Sequence, residues 1–464
     1  MDDRLGTVRS AAARAAPAAL SDLESWLRIP SVSGTPDVER AARWVARRLA
    51  RDGAEVRRVG APAGPVVLAR TRGRGGGTTV VYGHLDVKPP GPGWTTAPFQ
   101  PVRIGHRLQA RGASDDKGQV MAHLVALSAW SRAGGPPGDV VTIIDGAEEV
   151  GSPGLARALT GLRGPVAGVV VVDTRSAGRC LPTVTLTQRG AVTVRLTVDV
   201  GGRPVHAGRL GGAVVDPSLL LARLLDRAER VLDDLPLPPP PWPAHPTAAA
   251  IRSAAGDRAV HSDDPVGRAT RRGVLSVNRL HAAAAAGAVP TRASAVIDVR
   301  VPPGFPPSVA IARIERSVRR HLPDTVRLTM RTGPAATGSV LAPSPAVRAA
   351  VDAACRAAYG RRAASAASGG SIRAVGVLRR VFGTTPVLLG LGPEDDGAHG
   401  PDEYLDLREW PAQVDAHVVL LDRVSALGTT HLGHENQRLT VLASTMPATA
   451  RGTGRGHQDA RELR

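Results

Sequence analysis

From residue 79 onward the chain alternates short β-branched runs with helix-period segments, and this alternation constrains the fold more than any other feature. Parallel strands need long crossover connections, and helices supply them. The strand-like runs are residues 79–82, 140–144, 168–172 and 386–389, preceded by a run at 66–69 and a Gly-rich turn at 72–77. Residues 116–130 read as the helix that follows the first of these strands, and a helix-period segment covers 21–51. An α/β sheet with crossover connections is expected.

Between about residues 188 and 337 the character changes. Two alternating runs, 192–198 and 293–301, bracket an Ala/Leu/Arg-rich helix at 217–232, the pattern of a smaller α+β domain inserted into the first. Residues 236–246 are proline-dense and read as an extended connection. The βα pattern returns at 344 and fades after about 424. The expected organisation is therefore a catalytic domain in two parts (1–187 and 341–424), an inserted domain (188–340) and a flexible tail (425–464). A length of 464 residues is too great for one hydrophobic core, in keeping with more than one domain.

Composition matters mainly through charge. The 59 basic and 41 acidic residues leave a net +18, which alone points toward nucleic acid. The distribution argues against that partner. Lys88 and Lys117 are the only lysines, and arginines such as Arg40, Arg43, Arg47 and Arg48 are spread over helix faces without interleaved aromatics, which make up only 3% of the chain. No apolar run reaches the length of a membrane helix, and Arg9 and Arg14 interrupt the Ala-rich N-terminal stretch, so neither a membrane span nor a secretory segment is expected. Cys180 and Cys355 cannot form a disulfide framework. A cytoplasmic protein is expected.

In open α/β sheets, functional groups collect beyond the carboxyl ends of the strands. Here those positions carry Gly83-His84-Leu85-Asp86, Gly146-Ala147-Glu148-Glu149, Asp173, and Asp395-Asp396-Gly397-Ala398-His399, with Asp115 and Asp116 opening the helix after the first strand. Singly, each has an ordinary explanation: a helix cap, a structural histidine, a solvated acidic face. Together, two imidazoles and at least three carboxylates on one sheet edge suit zinc, manganese or cobalt. The lack of cysteine ligands favours a catalytic over a structural site.

These residues sit in longer blocks: YGHLDVKPPGPGWTTAPFQPV from Tyr82, ARGASDDKGQ from Ala110, GAEEVGSPGL from Gly146 and EDDGAH from Glu394. In order and content the blocks resemble the M20 metallopeptidases, specifically their carnosinase-like dipeptidase branch, from residue 20 to 424. The resemblance implies a zinc-peptidase-type α/β catalytic domain with a mixed central sheet, plus an inserted α+β lid and dimerisation domain. It also implies two divalent ions per chain, zinc with manganese or cobalt as alternatives. His84, Asp115 and Asp173 would hold one ion and Glu149 and His399 the other, with Asp115 bridging. Two dications against three carboxylates and a bridging hydroxide leave that cluster neutral, so it can be buried.

By the same resemblance, Asp86 accepts the second N–H of His84, and Glu148 is the general base for the bridging hydroxide. His206 is the lid histidine that reaches the partner subunit's site, Arg300 grips the substrate carboxylate, and Asn278, Gly370 and Ser371 add substrate contacts. The implied activity is hydrolysis of dipeptides or short peptides with a free C-terminal carboxylate, by a homodimer, with no nucleic acid or membrane partner. An N-acyl-amino-acid amidohydrolase on the same scaffold is the alternative, and a non-enzymatic basic nucleic-acid-binding protein is a remote one. Three positions depart from the resemblance: Ser368 replaces a glutamate before Gly-Gly-Ser, Arg373 a proline after Ser-Ile, and Asp402 an asparagine. His431, His434 and Glu435 look like ligands but belong to the tail, with no strand to position them.

Overall fold

The computed structural model describes residues 4–428 except 163, 238–246, 257, 262 and 394. Of the expected tail (425–464), residues 429 onward, with His431, His434 and Glu435, lie outside the described residues, as does most of the proline-dense segment. The alternation appears as a nine-stranded mixed sheet. Its centre is four parallel neighbours, Gly138–Asp145, Gly76–His84, Gly168–Val171 and Val387–Gly390, in register with His84 opposite Asp145 and Tyr82 opposite Val171. Val66–Thr71 and Glu55–Val59 extend one side, and Thr183–Gln188 with Ser339–Val340 extend the other, all antiparallel to their neighbours. The parallel centre places four carboxyl ends on one edge, which is why the polar residues that follow them converge.

Both faces of this sheet are covered. Along Val66–Thr71, Val67 and Ala69 enter one core while Val66 and Leu68 enter the other, the alternation of a strand buried on both sides. The larger core surrounds the helix Lys117–Arg132, buried all round from Lys117 to Trp130 and packed by the helices Arg4–Leu27 and Trp410–Ser425. The segment expected as one helix-period stretch over 21–51 is two helices, Arg4–Leu27 and Asp37–Arg51. Pro30 and Pro36 enforce the break, because each lacks a backbone N–H and steers the preceding residue away from helical angles. The released segment turns to the sheet edge, where Ser31 Oγ donates to Leu85 O at 2.7 Å and Ser33 Oγ to Asp86 Oδ2 at 2.6 Å.

The residues between Gln188 and Ser339 build a separate four-stranded antiparallel sheet in the order Val274–Ala282, Arg292–Val301, Gly190–Asp199, Arg327–Ala336. Helices Pro217–Asp233 and Pro307–Arg319 cover one face and close a core of its own. The chain leaves and re-enters the large sheet side by side, since Gln188 pairs with Ser339. That crossing is tight: a Cβ at Gly338 would collide with the backbone nitrogen of Gly190, so only glycine fits. Among the described residues, no helix is long and apolar enough to cross a membrane.

One buried group predicts how stability responds to acid. His417 is 1% exposed, neither ring nitrogen has a hydrogen-bond partner, and the ring sits edge-on to His123 with centroids 5.6 Å apart. Burial pushes its pKa down to about 4. The unfolded chain therefore binds a proton below about pH 6.5 that the folded chain refuses, and stability falls as the pH drops from there toward 4. The full contribution is on the order of 3 kcal/mol. Urea melts of His417→Leu are expected to show a flatter loss between pH 7 and 4.5 than wild type. Parallel curves would remove His417 as the cause.

Candidate active site

Two ligand-type groups form at the carboxyl edge. Donor atoms of His84, Glu148 and Asp173 lie within 4.8 Å of one another, and those of Asp115, Glu149 and His399 form the second such group. Asp115 joins them: its Oδ1 is 3.1 Å from His84 Nε2 and its Oδ2 is 3.1 Å from His399 Nε2. His399 Nε2 also lies 3.2 Å from Glu149, and His84 Nε2 lies 3.6 Å from Asp173. The five residues expected as ligands are brought together, and Glu148 stands among them.

Each is held by a specific local device. Asp115 ends a loop whose backbone is gathered by the fully buried Glu403 carboxylate, which accepts from Gly112 N (2.9 Å), Ser114 N (3.0 Å) and Asp115 N (2.8 Å), and from Arg111 Nη1 at 2.6 Å. Glu403→Ala would leave three amides without an acceptor and a buried guanidinium without its counter-charge, holding only the Gly400 carbonyl at 2.9 Å, so a loss of about 3–5 kcal/mol in urea denaturation is expected. A loss under about 1 kcal/mol would show that water replaces the carboxylate. His399 has a left-handed backbone (φ 64°), an uncommon state for a residue with a side chain and one that clusters at functional sites. Asp402, with φ 58°, anchors this loop by accepting from Thr95 N and Gln109 Nε2 at 2.9 and 2.7 Å.

Asp86 differs from expectation in its contacts. His84 Nδ1 bonds the Asp86 backbone carbonyl at 2.9 Å, while the Asp86 carboxylate is 3.6 Å away. That carboxylate instead accepts from the backbone amides of Glu148 (3.0 Å) and Glu149 (3.1 Å). The tautomer of His84 is thus set by a main-chain acceptor, and the side chain is left to hold the Glu148–Glu149 turn.

The electrostatics are those of an overloaded acidic cluster. Burial and the charge of Asp173 raise the Glu148 carboxyl well above its usual pKa. Burial also opposes ionisation of Asp115, but Arg175, His399 and His84 overcome it and hold that carboxyl well below the usual range. Burial lowers and the Asp115 and Glu149 carboxylates raise His399, with a net rise to about 10. Within the chain, Arg175 and the two imidazoles carry the compensating charge. A donor set of imidazole nitrogens and carboxylate oxygens that needs positive charge fits divalent metal ions.

Residues 80–423 match the sequence profile of peptidase family M20/M25/M40. The chain belongs to that family. Among curated M20-like relatives, it is similar to a cysteinylglycine-S-conjugate dipeptidase of Corynebacterium striatum (32% identical over 197 residues, 40% of this chain and 43% of the relative). It is also similar to the Beta-Ala-His dipeptidase of Homo sapiens (32% over 187 residues, 37% of this chain and 36% of the relative). The alignments thus span less than half the length of these relatives. The M20 fold extends over nearly the whole chain in solved structures: the di-peptidase Dug1p of Saccharomyces cerevisiae superposes with TM-score 0.77 at 21% identity, covering 92% of this chain and 99% of that one. Human carnosine dipeptidase 1 gives 0.74 at 22%, covering 91% and 99%. Membership of the M20 family implies divalent metal binding, and the two ligand-type groups are the candidates to hold it.

Other expected site residues are placed unevenly. Arg300 Nη1 donates to Ser371 Oγ at 3.1 Å, and its Nε is tied to Asp298 at 2.7 Å. Gly370 lines a cavity of about 180 Å³ with Asp173, Arg175, Thr183, Gln188 and Ser368. Asn278 is exposed at an irregularity of the Val274–Ala282 strand, and among the described residues no hydrogen bond or ion pair joins it to the cluster. His206 is exposed on the two-residue strand Val205–His206, where its Nδ1 accepts from Gly208 N; among the described residues, no hydrogen bond or ion pair joins it to the cluster.

Two cations of the M20 site were absent from the sequence reading. Arg175 pairs with Asp115 at 3.1 Å and with Asp396, and Lys88 Nζ lies 3.0 Å from Glu149. Both had a signal. Arg175 follows Asp173 by two residues at a strand's carboxyl end, and in a chain that uses arginine almost everywhere the two lysines stand out. Lys117, the second, is the buried first residue of the helix Lys117–Arg132, with Nζ donating to Ile29 O at 2.9 Å.

Proposed function

We propose that this M20 member is a binuclear metal-dependent hydrolase that cuts the peptide bond of dipeptides or short peptides with a free C-terminal carboxylate. The Glu148–Glu149 pair carries the reading: Glu149 is engaged by His399 and Lys88, whereas the Glu148 carboxyl has no hydrogen-bond or ion-pair partner among the described residues yet stands in the His84–Asp173 group. Zinc is the proposed ion, with manganese or cobalt as alternatives. His84, Asp115 and Asp173 would hold one ion, and Asp115, Glu149 and His399 the other. When bound, the ions acidify water and polarise the scissile carbonyl.

The chain supplies the rest. Glu148 takes the proton from the attacking water and passes it to the leaving amine, while Asp86 fixes the turn from which it works. Arg300, preset by Asp298 and Ser371, receives the substrate carboxylate. His206 stabilises the developing oxyanion of a partner's site in a homodimer joined through the inserted domain. The outer strand Val274–Ala282, with Val277 46% and Leu280 65% exposed, supports such an association. Free cysteines at 180 and 355 accord with a cytoplasmic setting.

The test is a hydrolysis screen of dipeptides, their C-terminal amides and N-acyl amino acids with added zinc, manganese or cobalt. Dipeptides should be cleaved and their amides at least about tenfold more slowly. No turnover of any dipeptide would overturn the reading. A preference for N-acyl amino acids would favour the second reading, which rests on the neutral Ser368 beside Asp173 and on a 47% identity over 90 residues to a succinyl-diaminopimelate desuccinylase of Rhizorhabdus wittichii. The trans role of His206 has its own check. Subunit exchange between inactive His206→Ala and inactive Glu148→Gln should restore part of the activity, because one site of each mixed dimer has both residues intact. No recovery would place His206 in its own chain's site or outside the chemistry.

A further inference from the structure

We propose that Arg373 is a positioning residue that clamps the turn carrying Glu148 and Glu149 against the inserted sheet. The link to catalysis rests on the reading of Glu148 above. Position 373 is the first residue of the helix Arg373–Phe382, where a backbone N–H is not needed and proline is readily accommodated. A proline there would reach nothing beyond its own ring. Arginine reaches across the cleft.

Its guanidinium lies against Gly151, so closely that a Cβ at Gly151 would collide with Nη1 and Cζ. Gly151 has φ 93° and closes the single turn Glu148–Val150 by donating its N–H to Glu148 O at 2.7 Å. On the other side, Arg373 Nη2 donates to Pro334 O at 2.9 Å, where the strand Arg327–Ala336 loses its register between Thr332 and Ala335. One side chain therefore touches the turn that presents the base and the sheet inserted between the two halves of the catalytic layer. Burial lowers the Arg373 pKa while the charge of Glu148 supports it, which agrees with a guanidinium close to that carboxyl.

The clamp matters because Asp86 holds this short turn only at the Glu148 and Glu149 amides and not at its Gly151 end, whereas proton transfer demands placement within about half an ångström. Gly151 supplies the seat and Arg373 fills it. If Arg373 merely covered surface, its removal would leave the turn as it is.

The test starts with amide hydrogen exchange in the metal-free protein. In Arg373→Gln the Gly151 and Ser152 amides should exchange at least about tenfold faster, and Arg373→Lys should fall between, because it keeps the stem and charge but not the planar fork. In the metal-loaded protein, kcat should fall about tenfold with KM within about twofold. A double-mutant cycle closes the case. Gly151→Ala carries the same φ cost in any background, but it should lower kcat less in Arg373→Ala than in wild type, since the guanidinium it displaces is already gone. Unchanged exchange in both Arg373 variants, or additive effects in the cycle, would overturn the proposal. A wild-type protein without hydrolytic activity would instead overturn the function and leave the exchange result to decide the clamp.

Discussion

Glu148→Gln is expected to lower kcat by about three orders of magnitude while metal content stays at the wild-type level, the size of effect that a general base contributes in hydrolysis. The substitution keeps volume and hydrogen-bonding shape and removes only the ability to accept and return a proton. The Glu148 carboxyl makes no hydrogen bond or ion pair among the described residues, so little folding energy depends on it, and the variant should melt close to wild type. This separates a catalytic loss from a structural one. Steady-state kinetics with elemental analysis on the same sample is the measurement, and near-normal turnover would sink the assignment.

Asp115→Ala is expected to empty both metal positions rather than one. Its two oxygens face opposite groups, Oδ1 toward His84 and Oδ2 toward His399, so one substitution removes a ligand from each. Metal content should fall from about two ions per chain toward none, whereas His84→Ala should spare roughly one. The loss should also appear as a lower melting temperature, because ions that bind only the folded chain stabilise it by mass action. Removing the ions from wild type with a chelator should reproduce most of that shift. If Asp115→Ala keeps two ions, the bridging arrangement is wrong.

Much of the large sheet could be read in the chain because its strands are buried on both faces and appear as unbroken Val/Ile runs. Val80 and Val81, for example, point to opposite cores and both are apolar. Most of the two ligand-type groups lie where a rule about strand ends looks for them, which needs only the location of each strand; Asp115, at the start of a helix, and the division into two groups were expected from the family resemblance. Three features were less visible. The break between Arg4–Leu27 and Asp37–Arg51 is local proline chemistry competing with a helical period that continues on both sides. The main-chain acceptor for His84 cannot be told from a carboxylate two residues away, because both belong to Asp86 and only the rotamer decides. The cluster of donors around Glu403 joins residues 111–115 to one 288 positions later than Asp115, a pairing that exists only once the sheet has formed.

The tight crossing between Gln188 and Ser339 has an evolutionary reading. To the large sheet, everything between those paired residues is a single hairpin connection, however long, because both ends belong to adjacent rungs of one ladder. A short turn across the same two positions would preserve every strand pairing of the nine-stranded sheet and every residue of the two ligand-type groups. The inserted sheet is thus a removable cassette, able to be exchanged, trimmed or enlarged in one genetic event. If Arg300 and His206 act as proposed, substrate choice and partner choice can therefore diverge while the centre beneath them stays fixed.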